Sequence, residues 1–523
     1  MDKPFSLFAD VLIREFEKDE TPSSGRKISV NPIVSKVASI YEKLRNAMDY
    51  RDEEVILRAA IERILKRRFL FGGTGKSIAE PLVRELVWAR YFPDESLSES
   101  IIEKIGKKID LYSKLHQNIL LKHPSFSEKT INQLIYQLMS SDLEHILGKP
   151  HKKEVMTNFI FRIMRENISI IDDSEQTRDA QVFIAIHKSF AKDDLALLYY
   201  HLFNQYFGEI SEKNLEETSS DFLKGYREIN YQLNYPRKDR IYNFVKDKTA
   251  VFFILEDLLN LEKGNVRELY KSEKDFDKIV FEICESRYEG ISSKVRRAIF
   301  RSVIFILLTK AFFALAIEGT YESVFYGRIL WTSTLLNIGV PPFLMAAVGF
   351  LIRGPSQNNS KRILSYIKLL LTSDSTKFKN PLQIKKNPDK IKPLLNSIFT
   401  LLWLATFLLA FGIIIFFLGK LHFNIVSLGI FVFFLAIVSF LSYRINQSAH
   451  IYSIEEKKNI LAPVVDFLLM PFVRVGRHLT EGISQINLFI FILDFIIETP
   501  FKGLFGFFEQ WFLFLQAKRE ELE

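Results

Sequence analysis

The sequence predicts an all-α, polytopic membrane protein with about four transmembrane helices, a large helical N-terminal cytoplasmic domain and C-terminal amphipathic, interfacial helices. Three observations carry this. Hydrophobic residues fill 48% of the 523 positions and phenylalanine occurs 48 times, yet 25% of the chain is charged. That mixture fits a water-exposed part joined to a lipid-embedded one. Several apolar stretches reach the ~20 residues a helix needs to cross the hydrocarbon layer. Elsewhere apolar residues recur at intervals of three and four, and no run keeps the alternation of a strand.

Residues 1–30 read as a flexible N-terminal arm, because "DETPSSGRK" is rich in turn-forming residues. The opening "MDKPFSLFADVLIREFEKDE" interleaves acids and bases and has no uninterrupted apolar core, unlike a cleaved signal peptide.

Residues 31–293 read as one helical cytoplasmic domain. Candidate helices include "PIVSKVASIYEKLRNAMDY", "DEEVILRAAIERILKRRFLF", "SESIIEKIGKKIDLYSKLHQNILL", "EKTINQLIYQLMSSDLEHIL", "DDLALLYYHLFNQYF" and "DRIYNFVKDKTAVFFILEDLLN". Gly72-Gly73, the "GKP" at Gly148 and "NYPRKD" separate them.

Within this region Gly75-Lys76-Ser77 resembles the end of a phosphate-binding loop. Such a loop needs a glycine five positions earlier, where the backbone folds around phosphate, and a buried strand before it. Leu70 occupies that position, and the preceding run has helical spacing. The triplet therefore reads as a helix stop at Gly72-Gly73 followed by a helix start that Thr74 or Ser77 caps, with Pro81 in its first turn.

No other catalytic pattern stands out, so the chain reads as non-enzymatic and without cofactor or metal. The nine histidines are scattered, with no close His/carboxylate set of metal spacing, and Cys284 is the only cysteine. The carboxylates of "SIIDDSEQTRD" lack the spacing of a calcium loop.

Residues 294–444 form the transmembrane region, with spans at 299–317, 329–352, 394–418 and 425–443. The last two are nearly free of polar groups. Arg301 and Lys310 interrupt the first, and Gly339, Pro341 and Pro342 interrupt the second. The loop 353–393 carries ten basic residues (Arg353, Lys361, Arg362, Lys368, Lys377, Lys379, Lys385, Lys386, Lys390, Lys392) against Asp374 and Asp389. The opposite connections, "EGTYESVFYGR" and "GKLHFN", hold one arginine and one lysine between them. Because cationic loops stay on the cytoplasmic side, both termini are expected there, in the cytoplasmic or inner membrane of a microbe.

Within the basic loop, Ile363, Leu364, Ile367 and Leu370 of "KRILSYIKLLL" line one helix face. That stripe either lies in the headgroup layer or packs on its own protein. For the first case, Arg353, Lys361, Arg362, Lys368, Lys385 and Lys386 are candidate contacts to anionic headgroups. Residues 445–523 hold shorter apolar runs broken by charges, whose many aromatic rings suit interfacial or re-entrant helices.

Membrane physics singles out a candidate intramembrane polar site at Lys310, Asn337, Pro341 and Pro342. A charge in the hydrocarbon layer costs roughly 3 kcal/mol on insertion scales, so it calls for a partner. Asn337, or Asp494 and Glu498 farther on, are the candidate partners of Lys310. The prolines break the hydrogen-bond ladder of the second span. Two functions remain open. The first expectation is a protein that presents a helical interaction domain at the membrane, with anionic lipids and a protein partner, without nucleic acid, and possible as an oligomer. The alternative is a transporter, channel or insertase-like protein with a polar cavity near Lys310 and the kinked second span.

Overall fold

The computed structural model describes residues 5–18, 26–48, 55–70, 72–148, 151–328, 331–352, 354–373, 378, 380–386, 393–421, 423–454, 462–485 and scattered positions between 504 and 518. The protein is all-α with almost no strand. Its contacts divide it into two units. One, here the helical unit, comprises Leu7–Lys246, Asp374–Lys386 and Leu488–Glu523. The other, the membrane unit, comprises Met1–Ser6, Asp247–Ser373 and Asn387–Asn487.

Helices α1 (Leu7–Glu17), α2 (Pro32–Met48), α3 (Ile56–Leu70), α4 (Gly75–Trp88), α5 (Ser100–Lys122), α6 (Glu128–Gly148), α7 (His151–Asn167), α8 (Glu175–Ile186), α9 (Leu195–Phe207), α10 (Leu215–Leu233) and α11 (Lys238–Lys246) build the helical unit. Helix α1 lies within the stretch expected to be a flexible arm. At eleven residues it is too short to hold itself together. It borrows stability by burying Ala9, Leu12, Ile13 and Phe16 beside α7, with the Arg162 guanidinium 4.5 Å over the Phe8 ring. Residues 19–25 of the expected arm lie outside the described residues.

The Gly75-Lys76-Ser77 triplet is the first turn of α4, and a helix rather than a strand precedes it. Gly72 and Gly73 take φ of +75° and +151°, backbone open to glycine at the end of α3. The Thr74 N–H donates to Ser77 Oγ at 2.9 Å, and the Gly75 N–H donates to Asp110 Oδ1 at 2.8 Å. A protein carboxylate from α5 thus takes the Gly75 N–H.

The basic loop contributes a strand to this unit. Strand β2 (Leu382–Ile384) pairs in parallel with β1 (Ile168–Ile170), Ile168 opposite Leu382. The Phe378 N–H donates to Asn167 Oδ1 at 2.7 Å, and Lys386 forms an ion pair with Asp173 at 3.1 Å. Three residues per strand fall below the length at which alternation is legible.

The division between the units falls at Lys246/Asp247, inside the stretch 31–293 that the sequence groups as one domain. It splits one expected helix, "DRIYNFVKDKTAVFFILEDLLN". Helix α11 packs on α8, while α12 (Thr249–Leu261) packs on α14 (Glu273–Phe313) and α17 (Gln357–Thr372) of the membrane unit. The polar run Lys246-Asp247-Lys248 is the joint. The membrane unit is completed by α13 (Val266–Lys271), α15 (Thr320–Tyr326), α16 (Trp331–Leu351), α18 (Pro393–Lys420), α19 (Ile425–Ala449) and α20 (Ala462–Gln485).

Four helical stretches are long and apolar enough to cross a membrane: Glu273–Tyr326, Thr334–Leu351, Leu394–Lys420 and Ile425–Ala449. The first extends beyond the expected span 299–317 at both ends. In particular, the connection "EGTYESVFYGR" is not a loop. A π-helical turn at Ala314–Gly319 passes directly into α15, and the chain leaves the helix only at Gly327, with φ +66°. Outward-facing Phe300, Leu308, Phe312, Leu404, Leu408 and Phe417 are exposed, as apolar surface meant for lipid would be. Inside, Ile306, Met345, Phe434 and Val438 form one apolar cluster, and Leu418, Phe423 and Phe431 another.

Helix α17 resolves the choice left open for its apolar stripe. Ile363, Leu364, Ile367 and Leu370 are buried beside α12 and α14, so the stripe packs on its own protein and not on headgroups. Asn359 holds it down, donating to the Tyr288 hydroxyl at 2.8 Å and to Tyr452 O at 2.6 Å. Helix α20, amphipathic as expected, runs against α19. A Cβ on Gly476 would come 2.0 Å from Ala436 O, so the two backbones touch there. The aromatic segment at residues 486–503 lies outside the described residues.

Candidate functional site

Three ionisable side chains, Lys310, Glu318 and Glu322, are fully buried inside the membrane unit at 0% exposure. All three come from the first long helix. At 3.6 residues per turn, eight residues carry a side chain roughly 80° beyond its starting direction. The wider π turn at Ala314–Gly319 takes that rotation back, which puts Glu318 on the Lys310 face. Glu322 follows one turn later. Single π turns of this kind recur at functional positions.

The surrounding helices supply amides and rings. Asn337 on α16 donates through Nδ2 to Glu318 Oε1 and, at 3.1 Å, to Ser427 O. Asn424 donates to Glu322 Oε1 at 2.8 Å while its own oxygen accepts from the Ser427 N–H, also at 2.8 Å, capping α19. Among the described residues Lys310 Nζ has no hydrogen-bond partner, and it lies 4.7 Å from the Phe434 ring centre and 5.9 Å from that of Phe431. Its charge is attracted to Glu318 across space, and the ring faces give it partial compensation. Asn337 Oδ1 also has no hydrogen-bond partner among the described residues. The polar groups thus run inward from the Asn424 end of α19 and stop at Lys310.

The sequence-predicted residues divide as follows. Lys310 and Asn337 belong to one cluster, joined through Glu318. Pro341 and Pro342 are buried inside α16, which runs through both and is not broken there. Their chemistry still matters, because Pro341 has no N–H for the carbonyl four residues back, that of Asn337. A further acceptor is left beside the cluster. Asp494 and Glu498, the other partners considered for Lys310, lie outside the described residues, as does Arg353.

Of the lysines and arginines expected at headgroups, Lys361 and Lys385 are exposed. Arg362 donates to Ile454 O at 3.3 Å. Lys368 pairs with Glu273 at 2.9 Å and Asp277 at 2.6 Å, and Lys386 pairs with Asp173 and lies 5.2 Å from the Tyr231 ring centre. These last two charges are committed to protein carboxylates.

Sequence reasoning missed Glu318, Glu322, Asn424 and Ser427. The two glutamates look like loop residues because they sit in a polar connection between apolar runs. Their spacing of four, with no proline between Lys310 and Gly327, was the available signal.

The helical unit corrects a second expectation. The histidines are not all scattered: His187, Asp193 and His201 each offer a ligand atom, and these atoms lie within 4.8 Å of one another. Burial holds the His187 imidazole below its usual value, against the Asp193 hydrogen bond that favours its charged form. Burial likewise pushes the nearby Glu144 carboxyl up to about 7.

No family model, curated protein or solved structure matches this chain.

Proposed function

We propose that this is a membrane transport protein that carries protons or a small monovalent cation through its four apolar helical stretches, with Lys310, Glu318 and Glu322 as the binding site. The supporting observation is the enclosure of all three ionisable groups among helices whose outer surface is apolar. Charged groups in such a setting are costly and mark ion or proton pathways. With all three ionised the site carries one net negative charge. A bound proton or monovalent cation neutralises it, and Asn337, Asn424 and the Asn337 carbonyl supply neutral oxygens around it. Lys310 acts as a tethered internal cation: it is attracted to Glu318 without a hydrogen bond, so it can yield that carboxylate to an incoming ion at small cost.

The other reading, a helical interaction domain held at the membrane, accounts for the helical unit but leaves the ionic cluster without a purpose. A tether needs only apolar spans. The orientation we assign has the loop 353–393 and both termini in the cytoplasm of a microbe, on the strength of its ten basic residues.

The test is flux. Purified protein in liposomes with an entrapped pH-sensitive dye is given a proton or alkali-cation gradient. Wild type is expected to dissipate it, and Glu318→Gln and Lys310→Leu to slow the flux by at least about tenfold while keeping the wild-type helical spectrum. Wild-type liposomes as tight as empty ones would overturn the transport reading.

A further inference from the structure

We infer that the helical unit carries a binding site for one divalent first-row transition metal ion, of which Zn²⁺ is the best match, ligated by His187, Asp193 and His201 with a fourth position open to a cavity. The sequence hides this site because the ligands are six and eight residues apart and belong to different local structures. Helix α8 ends in a π turn, His187–Ala191, which presents His187 at its start. Lys192 then reverses the chain in the left-handed conformation, φ +61°. That reversal aims Asp193 back at His187, and the Asp193 N–H donates to His187 O at 3.0 Å. Asp194 caps α9, accepting from the Leu197 N–H at 3.0 Å, and Arg58 grips it at 2.6 Å. His201, two turns along α9, completes the set.

The distances suit a metal. Asp193 Oδ2 is 2.6 Å from His187 Nδ1 and 3.4 Å from His201 Nε2. Bonds of roughly 2.0–2.1 Å in a tetrahedral shell set ligand atoms about 3.4 Å apart. Of the three pairs, Asp193–His201 already has that spacing, Asp193–His187 opens when the metal replaces the proton it shares, and the two imidazole nitrogens lie within 4.8 Å of each other. The side chains are held for the purpose: Phe183 packs on His187 at 4.1 Å between ring centres, and the two imidazoles lie 4.5 Å apart. Lys153 stands 3.7 Å from the second oxygen of Asp193, an outer contact that orients the carboxylate.

A cavity of about 150 Å³ opens against the three ligands, lined also by Glu144, His145, Glu154 and Tyr200. Glu144 Oε2 is buried and has no hydrogen-bond partner among the described residues. Orphaned buried carboxylate oxygens are rare and call for a missing partner. A metal ion, or water on its open position, supplies one. Two imidazoles and one carboxylate favour zinc and its neighbours over calcium or magnesium, which take oxygen shells.

This inference is independent of the transport reading, and its test does not measure flux. Full-length protein in detergent is stripped with a chelator and titrated with Zn²⁺ against a competing chromophoric chelator, then with Co²⁺ while its absorption is recorded. Expected are one site per chain, the intense visible bands of four-coordinate cobalt, and a higher melting temperature with Zn²⁺. His201→Gln and Asp193→Asn should each weaken binding by more than ~100-fold, beyond the effect of removing an outer-shell partner. His145→Ala, at the cavity but outside the ligand set, should leave binding within a few-fold. A wild-type chain that binds no metal, or binding undiminished in His201→Gln, would overturn the site. Should either ligand variant fail to fold, the wild-type titration decides, since a chain that takes up no Zn²⁺ or Co²⁺, or whose cobalt shows only weak octahedral bands, would overturn the four-coordinate site.

Discussion

At the scale of single residues, Lys310 and Glu318 are not equivalent. Lys310 makes no hydrogen bond among the described residues, whereas Glu318 holds Asn337. Lys310→Met should therefore leave the melting temperature in detergent unchanged or raise it. Glu318→Leu removes a hydrogen bond and strands a buried ammonium, a loss of about 3 kcal/mol. The double variant should recover most of that loss, and a strictly additive result would mean the two groups do not interact. A second residue, Glu62, gives a pH dependence. Burial works against its charge, but Lys66 and Arg58, at 2.6 Å and 2.5 Å, hold it below the usual carboxylate range. A depressed carboxylate contributes stability above its unfolded value near ~4.3 and loses it as pH falls through the lower folded value. The protein should lose melting temperature steeply below about pH 4, and Glu62→Gln should flatten that acid limb. Lys310 was legible in the sequence because an isolated charge within an apolar run is conspicuous. Glu318 was not, since a charge beside a polar connection carries no mark of burial.

At the scale of elements, the helix-to-helix contacts were less legible than the helices. The triplet that imitates a nucleotide loop shows why. Its glycine is needed for close approach of α4 to α5, as a Cβ on Gly75 would lie 2.1 Å from Gly106 O. Gly75→Val should force the helices apart and destabilise the protein by roughly 2 kcal/mol, read as a lower melting temperature, while Lys76→Ala should be silent. A nucleotide site would instead make Lys76→Ala damaging, because there the lysine reaches the phosphates. The stripe on α17 was equally ambiguous, because an apolar face reads the same against lipid and against protein. The cut between α11 and α12 was hidden for a related reason: both halves keep helical spacing, and only their packing partners differ. The pairing of β1 with β2 joins residues more than two hundred positions apart, and nothing local announces it.

At the scale of the whole molecule, the remaining question is which side of the membrane each connection faces. The ten basic residues of 353–393 retain their weight although Lys368 and Lys386 end in ion pairs, because retention acts on the chain as it is inserted, before those pairs form. The transport reading also gives the orientation a consequence. The polar groups run from the Asn424 end of α19 to Lys310, so on that reading an ion would reach the buried site from the side opposite the basic loop. Single cysteines test this directly once Cys284, the only natural one, is replaced by serine. A cysteine at Lys361, exposed on α17, should react with a membrane-impermeant maleimide only after the cells are permeabilised. A cysteine at Lys420, exposed at the end of α18, should react in intact cells. A cysteine at Asn424 should react from outside more slowly, and a proton or cation gradient that loads the site should change its rate. Labelling of Lys361→Cys in intact cells would reverse the topology, and with it the direction in which the buried carboxylates are reached.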